Sequence, residues 1–126
     1  MKREVIQPKS LPAVNPTYSQ AIRSNGFVFV AGQIGIDPAT GKLASDDIAD
    51  QTRQTLDNIA MILQAAGSSM EKVVSASLYL TEFKQLNRVN AVYGKYFPQN
   101  GPAKLACGVT ELYDGAKIEI QVIAVV

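Results

Sequence analysis

Apolar and polar positions along the chain divide it into short strands and two helices. Arg3 to Gln7 predicts a short strand, followed by a loop through Pro8, Pro12 and Asn15-Pro16. Residues 19–24 predict a second strand that turns at Asn25-Gly26, a pair suited to the positive φ angles of a tight hairpin. Gly26 to Ile36 then reads as a buried strand in which Phe27, Val28, Phe29 and Val30 are all apolar, and Asp37-Pro38 to Gly41 makes a turn. Over residues 46–66 the apolar positions Ile48, Leu56, Ile59, Leu63 and Ala66, with Thr52, recur at steps of three and four, which predicts an amphipathic helix. Ser45, Asp46 or Asp47 suits its N-cap, and Gly67 its end. Residues 72–81 predict a strand with Val74, Ala76, Leu78 and Leu80 of one parity. A second helix spans about Glu82 to Phe97, with Phe83, Leu86, Val89, Asn90, Tyr93 and Phe97 on its stripe, stopped by Pro98 and Asn100-Gly101-Pro102. Two strands close the chain, Ala103–Thr110 and Lys117–Val125, joined through Tyr113-Asp114-Gly115.

The order β-β-β-α-β-α-β-β predicts an α+β fold, one mixed β-sheet backed by two α-helices, and 126 residues suit a single domain over 1–126. Two helices cover one sheet face. Yet several strands are apolar on both: Phe27 and Phe29 oppose Val28 and Val30, and Ile123 and Val125 oppose Ile118, Ile120 and Val122. Left in water, the second set makes a large apolar patch, so self-association through that face is expected, with clefts between copies. The 18% of charged residues, low for a soluble domain, points the same way.

Composition then narrows the chemistry. With 12 basic against 11 acidic residues, net +1, no nucleic-acid partner and no membrane surface are expected. The chain has no histidine, which excludes His-based triads and imidazole shuttles, and a single cysteine, Cys107, which excludes an internal disulfide. The N-terminus carries no apolar signal core and no apolar run reaches the ~18 residues of a membrane span, so a cytoplasmic protein is expected.

Catalysis must then rest on carboxylates, amines, hydroxyls and backbone groups. By alternation, Leu105, Cys107 and Val109 face the helices and Lys104, Ala106 and Gly108 face away. In the last strand Ile118, Ile120, Val122 and Ala124 face the core, which puts Glu119 and Gln121 on the other side. Lys104 and Glu119 thus share the face that self-association dries, either as a cross-strand ion pair or as reactive groups. Asn90, an amide on an apolar stripe, is either satisfied by backbone or offered to a ligand. Gly32 and Gly35 mark a bulge or a close approach to the backbone. Tyr18, in the Pro-rich loop, either supplies a hydroxyl or caps the core edge. Cys107 reads as an inert core residue, and Tyr93, Tyr96 and Phe97 as packing.

Four blocks, FVFVAGQIGIDPATGKL, QTRQTLDNIAMILQAAGSSMEKVV, VNAVYGKYF and PAKLACGVTELYDGAKIEIQVIAVV, together resemble the Rid/YjgF family of reactive-intermediate deaminases, also called the L-PSP endoribonuclease or translation-inhibitor family. The resemblance implies a chorismate-mutase-like fold assembled as a trimeric barrel. It implies hydrolysis of 2-imino acids, such as 2-iminobutanoate or 2-iminopropanoate, to 2-keto acids and ammonia, with no metal or organic cofactor. The implied site lies between the subunits of a homotrimer and takes a small carboxylate ligand. Carried over by position, Tyr18, Gly32 and Asn90 line the pocket and Glu119 orients the attacking water. The arginine of the family's P-A-R motif, which clamps the substrate carboxylate, is replaced by Lys104. The family's cysteine falls on Ala106, whose backbone N–H is left as a carboxylate donor. Catalysis is then assigned to Glu119 and Lys104. The alternative is a trimer of the same family that binds a small ligand without turnover or with another specificity. The endoribonuclease label fits least, because the chain lacks histidine and is nearly neutral.

Overall fold

A computed structural model of the chain describes residues 2–126. Among them the elements run β1 (Glu4–Ile6), β2 (Ala21–Ser24), β3 (Phe27–Val30), β4 (Ile36–Asp37), β5 (Lys42–Leu43), α1 (Ile48–Ala65), β6 (Val73–Leu80), α2 (Leu86–Tyr96), β7 (Ala103–Gly108) and β8 (Ile118–Val125). One sheet takes the order β1-β2-β3-β8-β6-β7, while β4 and β5 pair apart as a small hairpin where the sequence predicts only a turn. All pairings in the large sheet are antiparallel except β6 with β7, whose connection through α2 supplies the crossover that a parallel pair needs. This is the expected α+β arrangement, a mostly antiparallel mixed sheet with two helices.

Local chemistry accounts for the boundaries. Asn25 and Gly26 both take positive φ, 56° and 84°, closing the β2–β3 hairpin. Asp47 caps α1, its carboxylate accepting from the Asp50 N–H, and Gly67 beyond the other end takes φ 79°. The α2 helix starts later than its apolar stripe suggests, because Phe83–Gln85 winds as a 3-10 turn and leaves Phe83 exposed.

Both helices cover the same face of the sheet. Val28, Val30, Leu78, Leu80, Ile120 and Val122 are buried there against Leu56, Ile59, Ile62, Leu63 and Val89, each such side chain contributing about 1.5–3 kcal/mol on burial. Gln51, buried on α1, donates to the Ser45 carbonyl and accepts from the Lys117 N–H, which ties the entry of β8 to the helix. Gly35 lies so close to that helix that an added Cβ would sit 2.6 Å from the Gln51 carbonyl oxygen. The segment between β3 and β4 is thereby held against α1.

The opposite face carries the second apolar set. Phe29 is 45% exposed and Phe27 39%, and Val5, Val74 and Leu105 join them. Two assignments by alternation are corrected. A register shift between Val73 and Ser75 breaks the parity of β6, so Val73 enters the core and Val74 does not. In β7 the whole parity is reversed: Ala106 packs against the core while Leu105 is 53% exposed.

Candidate active site

The reversal in β7 decides where the basic group sits. Lys104 pairs in register with Ala76 and Ala106 with Leu78, both core-facing residues, so Lys104 and Ala106 lie on the helix face of the sheet. Apolar Leu105 and Val109 mislead because β7 is an edge strand, where the apolar row meets whatever covers the open face rather than the core. The Lys104 stem runs over α2, and its ammonium stands 4.4 Å from the centroid of the Tyr93 ring and donates to Asn90 Oδ1. Asn90 and Tyr93, one turn apart on α2, thus make an amide and an aromatic face for one cation. Tyr93 stacks on Phe97 at 4.6 Å, and its buried hydroxyl finds no hydrogen-bond partner. Burial pushes the Tyr93 phenol up to about 12 and the Lys104 ammonium below its usual value. Asn90 is therefore half-buried and satisfied by a side chain rather than by backbone.

Glu119 lies on the other face, as the sequence predicts. It pairs with Tyr79, which pairs in turn with Cys107, so the three form a row across β8, β6 and β7. Cys107 is accordingly partly exposed on the open face and not the core residue that alternation assigns. Beside Glu119 the chain after β3 rejoins β8 through a Gln33–Ile120 bridge. Between the Phe29–Ile123 pair and this bridge, β3 contributes one residue more than β8, which makes a bulge. Gly32 sits in it, and a Cβ there would fall 2.0 Å from Glu119 Oε2, so only glycine lets the carboxylate occupy its place. This is the close approach that the sequence predicts for Gly32.

The Glu119 carboxylate opens into a cavity of about 670 Å³ that Tyr18, Gly32, Gln33, Tyr113 and Asp114 also line. Tyr18, 54% exposed, is held at its rim by a turn in which Asn15 accepts from the Thr17 and Tyr18 backbone N–H groups. Gln33 donates to Gln20, fixing the cavity floor. The only cause shifting the Glu119 pKa is burial, which raises it. Sequence reasoning missed Tyr93, Gln33, Tyr113 and Asp114. For Tyr93 the signal was its spacing of three from Asn90. Asp114 takes φ 60°, in a turn that alternation cannot resolve.

The predicted residues thus fall into two groups. Tyr18, Gly32 and Glu119 share one cavity, and Asn90, Lys104 and Ala106 gather at the α2–β7 edge, with the sheet between them. The expected shared face for Lys104 and Glu119 is corrected, and no ion pair joins them. Among the described residues no cluster of acidic, Cys or His side chains could hold a metal ion, and no helix is long and apolar enough to cross a membrane.

The Endoribonuclease L-PSP family profile matches residues 8–126. The chain belongs to that family. Among its relatives is the human 2-iminobutanoate/2-iminopropanoate deaminase, 37% identical over 98% of this chain and 90% of its own. The Rid-family protein YyfA of Yersinia pestis has a solved structure that superposes with a TM-score of 0.94 at 40% identity, covering 99% of this chain and 100% of its own. The structure of E. coli TdcF with bound serine gives 0.90 at 31% identity over 98% of both chains. The fold described above is therefore shared with these solved L-PSP relatives over nearly its whole length.

Proposed function

We propose that this L-PSP family member hydrolyses small 2-imino acids, of the 2-iminobutanoate and 2-iminopropanoate type, to 2-keto acids and ammonia. The observation that carries this reading is Glu119, a half-buried carboxylate backed onto Gly32 at the mouth of a cavity, with no hydrogen bond or ion pair among the described residues to neutralise it. A protonated imine is already electrophilic. It needs its carboxylate held and a water placed against C2, and a carboxylate whose pKa burial has raised suits a general base. The human relative's name supports the same substrate class.

In this proposal the two groups of residues meet between copies of the chain, in a homotrimer whose open sheet faces pack together as a chorismate-mutase-like barrel. The exposed apolar row of Phe27, Phe29, Val5 and Leu105 supports burial of that face. Lys104 of one copy receives the substrate carboxylate, helped by an N–H at the free edge near Ala106. Glu119 of the next copy orients the water, and Asn90, Gly32 and Tyr18 shape the pocket. No cofactor takes part.

A second reading, a trimer that binds a small acid without turning it over, is favoured by Lys104 itself, since an ammonium lacks the two-pronged geometry of a guanidinium. The experiment that separates them generates the imine with an amino-acid oxidase and follows free imine by trapping. Under the proposal the added protein shortens the imine's lifetime and delivers keto acid. An unchanged lifetime overturns it.

A further inference from the structure

The cavity beside Glu119 has more room than an acid of three or four carbons fills. Its volume of about 670 Å³ falls among pockets that take much larger ligands, about 300–1,000 Å³. Its floor is a pair of side-chain amides. Gln33 Nε2 donates to the Ala31 carbonyl at 3.3 Å and to Gln20 Oε1 at 2.9 Å. A carbonyl only accepts, so the first bond fixes which end of the Gln33 amide is nitrogen, and the second then fixes which end of Gln20 is oxygen. Gln20 Nε2 is left without an acceptor and Gln33 Oε1 without a donor among the described residues. Gln20 is only 7% exposed, and an unmet polar group in so buried a side chain is costly. Among the described residues the Tyr93 hydroxyl is the only fully buried side-chain polar atom that lacks a partner. The two free amide groups therefore open to space, and both residues line the cavity. Their main chains are pinned: the Gln20 carbonyl accepts from the Ala31 N–H, and Gln33 exchanges two hydrogen bonds with Ile120. The pair is thus a fixed feature, next in the chain to the Gly32 that backs Glu119.

We infer that the Gln20–Gln33 pair is a side-chain subsite, and that the acids this cavity holds best carry a neutral primary amide at the far end of the side chain. The inference rests on the substrate class proposed above and adds the side chain to it. The lining sets the charge. Glu119 and Asp114 are acidic, and no lysine or arginine lines the cavity. A carboxylate on the side chain meets two like charges and the Gln33 oxygen, while an ammonium leaves the Gln20 N–H groups facing a cation. A hydroxyl, with one polar atom, reaches one of the two free groups. A primary amide meets both: its oxygen accepts from Gln20 Nε2 and its nitrogen donates to Gln33 Oε1. Leu11 and Ile34, also in the lining, suit the methylenes between that amide and the reacting carbon.

The test titrates the full chain calorimetrically with four stable acids that differ only at the far end: glutaramate, its dicarboxylate glutarate, its apolar isostere 5-methylhexanoate, and 5-aminopentanoate. Two added hydrogen bonds should make glutaramate bind at least about ten times more tightly than each of the others. Gln20→Met keeps the length of the side chain and removes its amide, while Gln33 Nε2 retains the Ala31 carbonyl. In that variant glutaramate should bind no better than 5-methylhexanoate. The comparison of the four acids in wild type stands even where the variant fails to fold. Equal binding of glutaramate and any of the other three, binding of none of them, or a preference that survives in folded Gln20→Met overturns the inference. The imine-lifetime assay, run with the imine of alanine, is scored separately. Hydrolysis without a preference for the amide removes the subsite and keeps the hydrolytic reading, and the preference without hydrolysis does the reverse.

Discussion

The α2–β7 edge and the β3–β8 bulge are built oppositely, yet burial acts on both. At the edge an ammonium rests on an amide and an aromatic ring, and burial pulls its pKa down. At the bulge a carboxylate rests on a glycine, and burial pushes its pKa up. In each case the charged form is penalised because, among the described residues, no ion-pair partner compensates it. Two groups of opposite sign, each partly desolvated and each without an ion-pair partner, lie on opposite faces of one sheet. Their chemistry is complementary and their geometry forbids them to meet within a monomer, and this joins the proposed activity to the proposed assembly.

The comparison breaks most sharply at Glu119. Glu119→Gln keeps the shape and removes the base, so imine hydrolysis should fall by about 10²–10⁴-fold, measured as the lifetime of oxidase-generated imine. Gly32→Ala should come close to it by displacing the carboxylate. The same Gln variant should unfold at a higher temperature than wild type at neutral pH. A carboxyl with a raised folded-state pKa stabilises most below its unfolded pKa, and that contribution is gone once pH rises through the folded value. A Gln variant that is both fully active and no more stable would show that the carboxylate is ordinary surface. Next in size is Phe29→Asp, which places a charge in the exposed apolar row. Sedimentation should report smaller species and imine hydrolysis should fall with them; an unchanged oligomer that keeps its activity would detach the site from that face. Lys104→Arg should sharpen the other half, raising imine hydrolysis by about ten- to more than a hundred-fold, since a second charge-assisted hydrogen bond contributes roughly 1.5–3 kcal/mol. Equal or lower rates would show that the pocket is shaped for the amine.

Much of this arrangement is legible in the residues themselves. The two-sided apolar strands, the hairpin at Asn25-Gly26 and the α1 stripe follow from spacing and turn chemistry. Gly32 as a bulge or close approach follows from a glycine standing in a strand, and Glu119 on the open face follows from alternation. What alternation could not reach is β7. At an edge strand the helix face requires only Ala106 and a lysine stem, so the large apolar Leu105 signals an outer surface rather than the core. The separation of Lys104 from Glu119 depends on that one inversion. The bulge at Val73–Ser75 misleads more narrowly, since one extra residue puts Val73 rather than Val74 in the core while Ala76, Leu78 and Leu80 keep the parity that alternation assigns. Pairing of Lys104 with the Tyr93 ring is a tertiary fact, set by how α2 crosses β7.

The smallest expected effect lies away from both halves, at the contact that fixes how the helices sit on the sheet. Asp47 caps α1 and accepts from Arg88 of α2 at 2.7 Å, and the Arg88 hydrogen bond is the main cause holding its carboxyl below the ordinary value of 3.8. A carboxyl with a depressed folded-state pKa contributes stability that is present above the unfolded pKa and lost as pH falls through the folded one. The difference in Tm between wild type and Asp47→Asn should therefore be constant from neutral pH to about pH 5 and close below the ordinary carboxylate value. Asparagine still caps a helix but cannot pair with Arg88, and the pair is exposed, so a loss of no more than a few degrees is expected. Imine hydrolysis should stay close to wild type throughout, because neither residue lines the cavity or touches Lys104. A large loss of activity in Asp47→Asn would mean that the angle between α1 and α2 sets the position of the amine at the β7 edge, and that the two halves are coupled through the helices rather than by assembly alone.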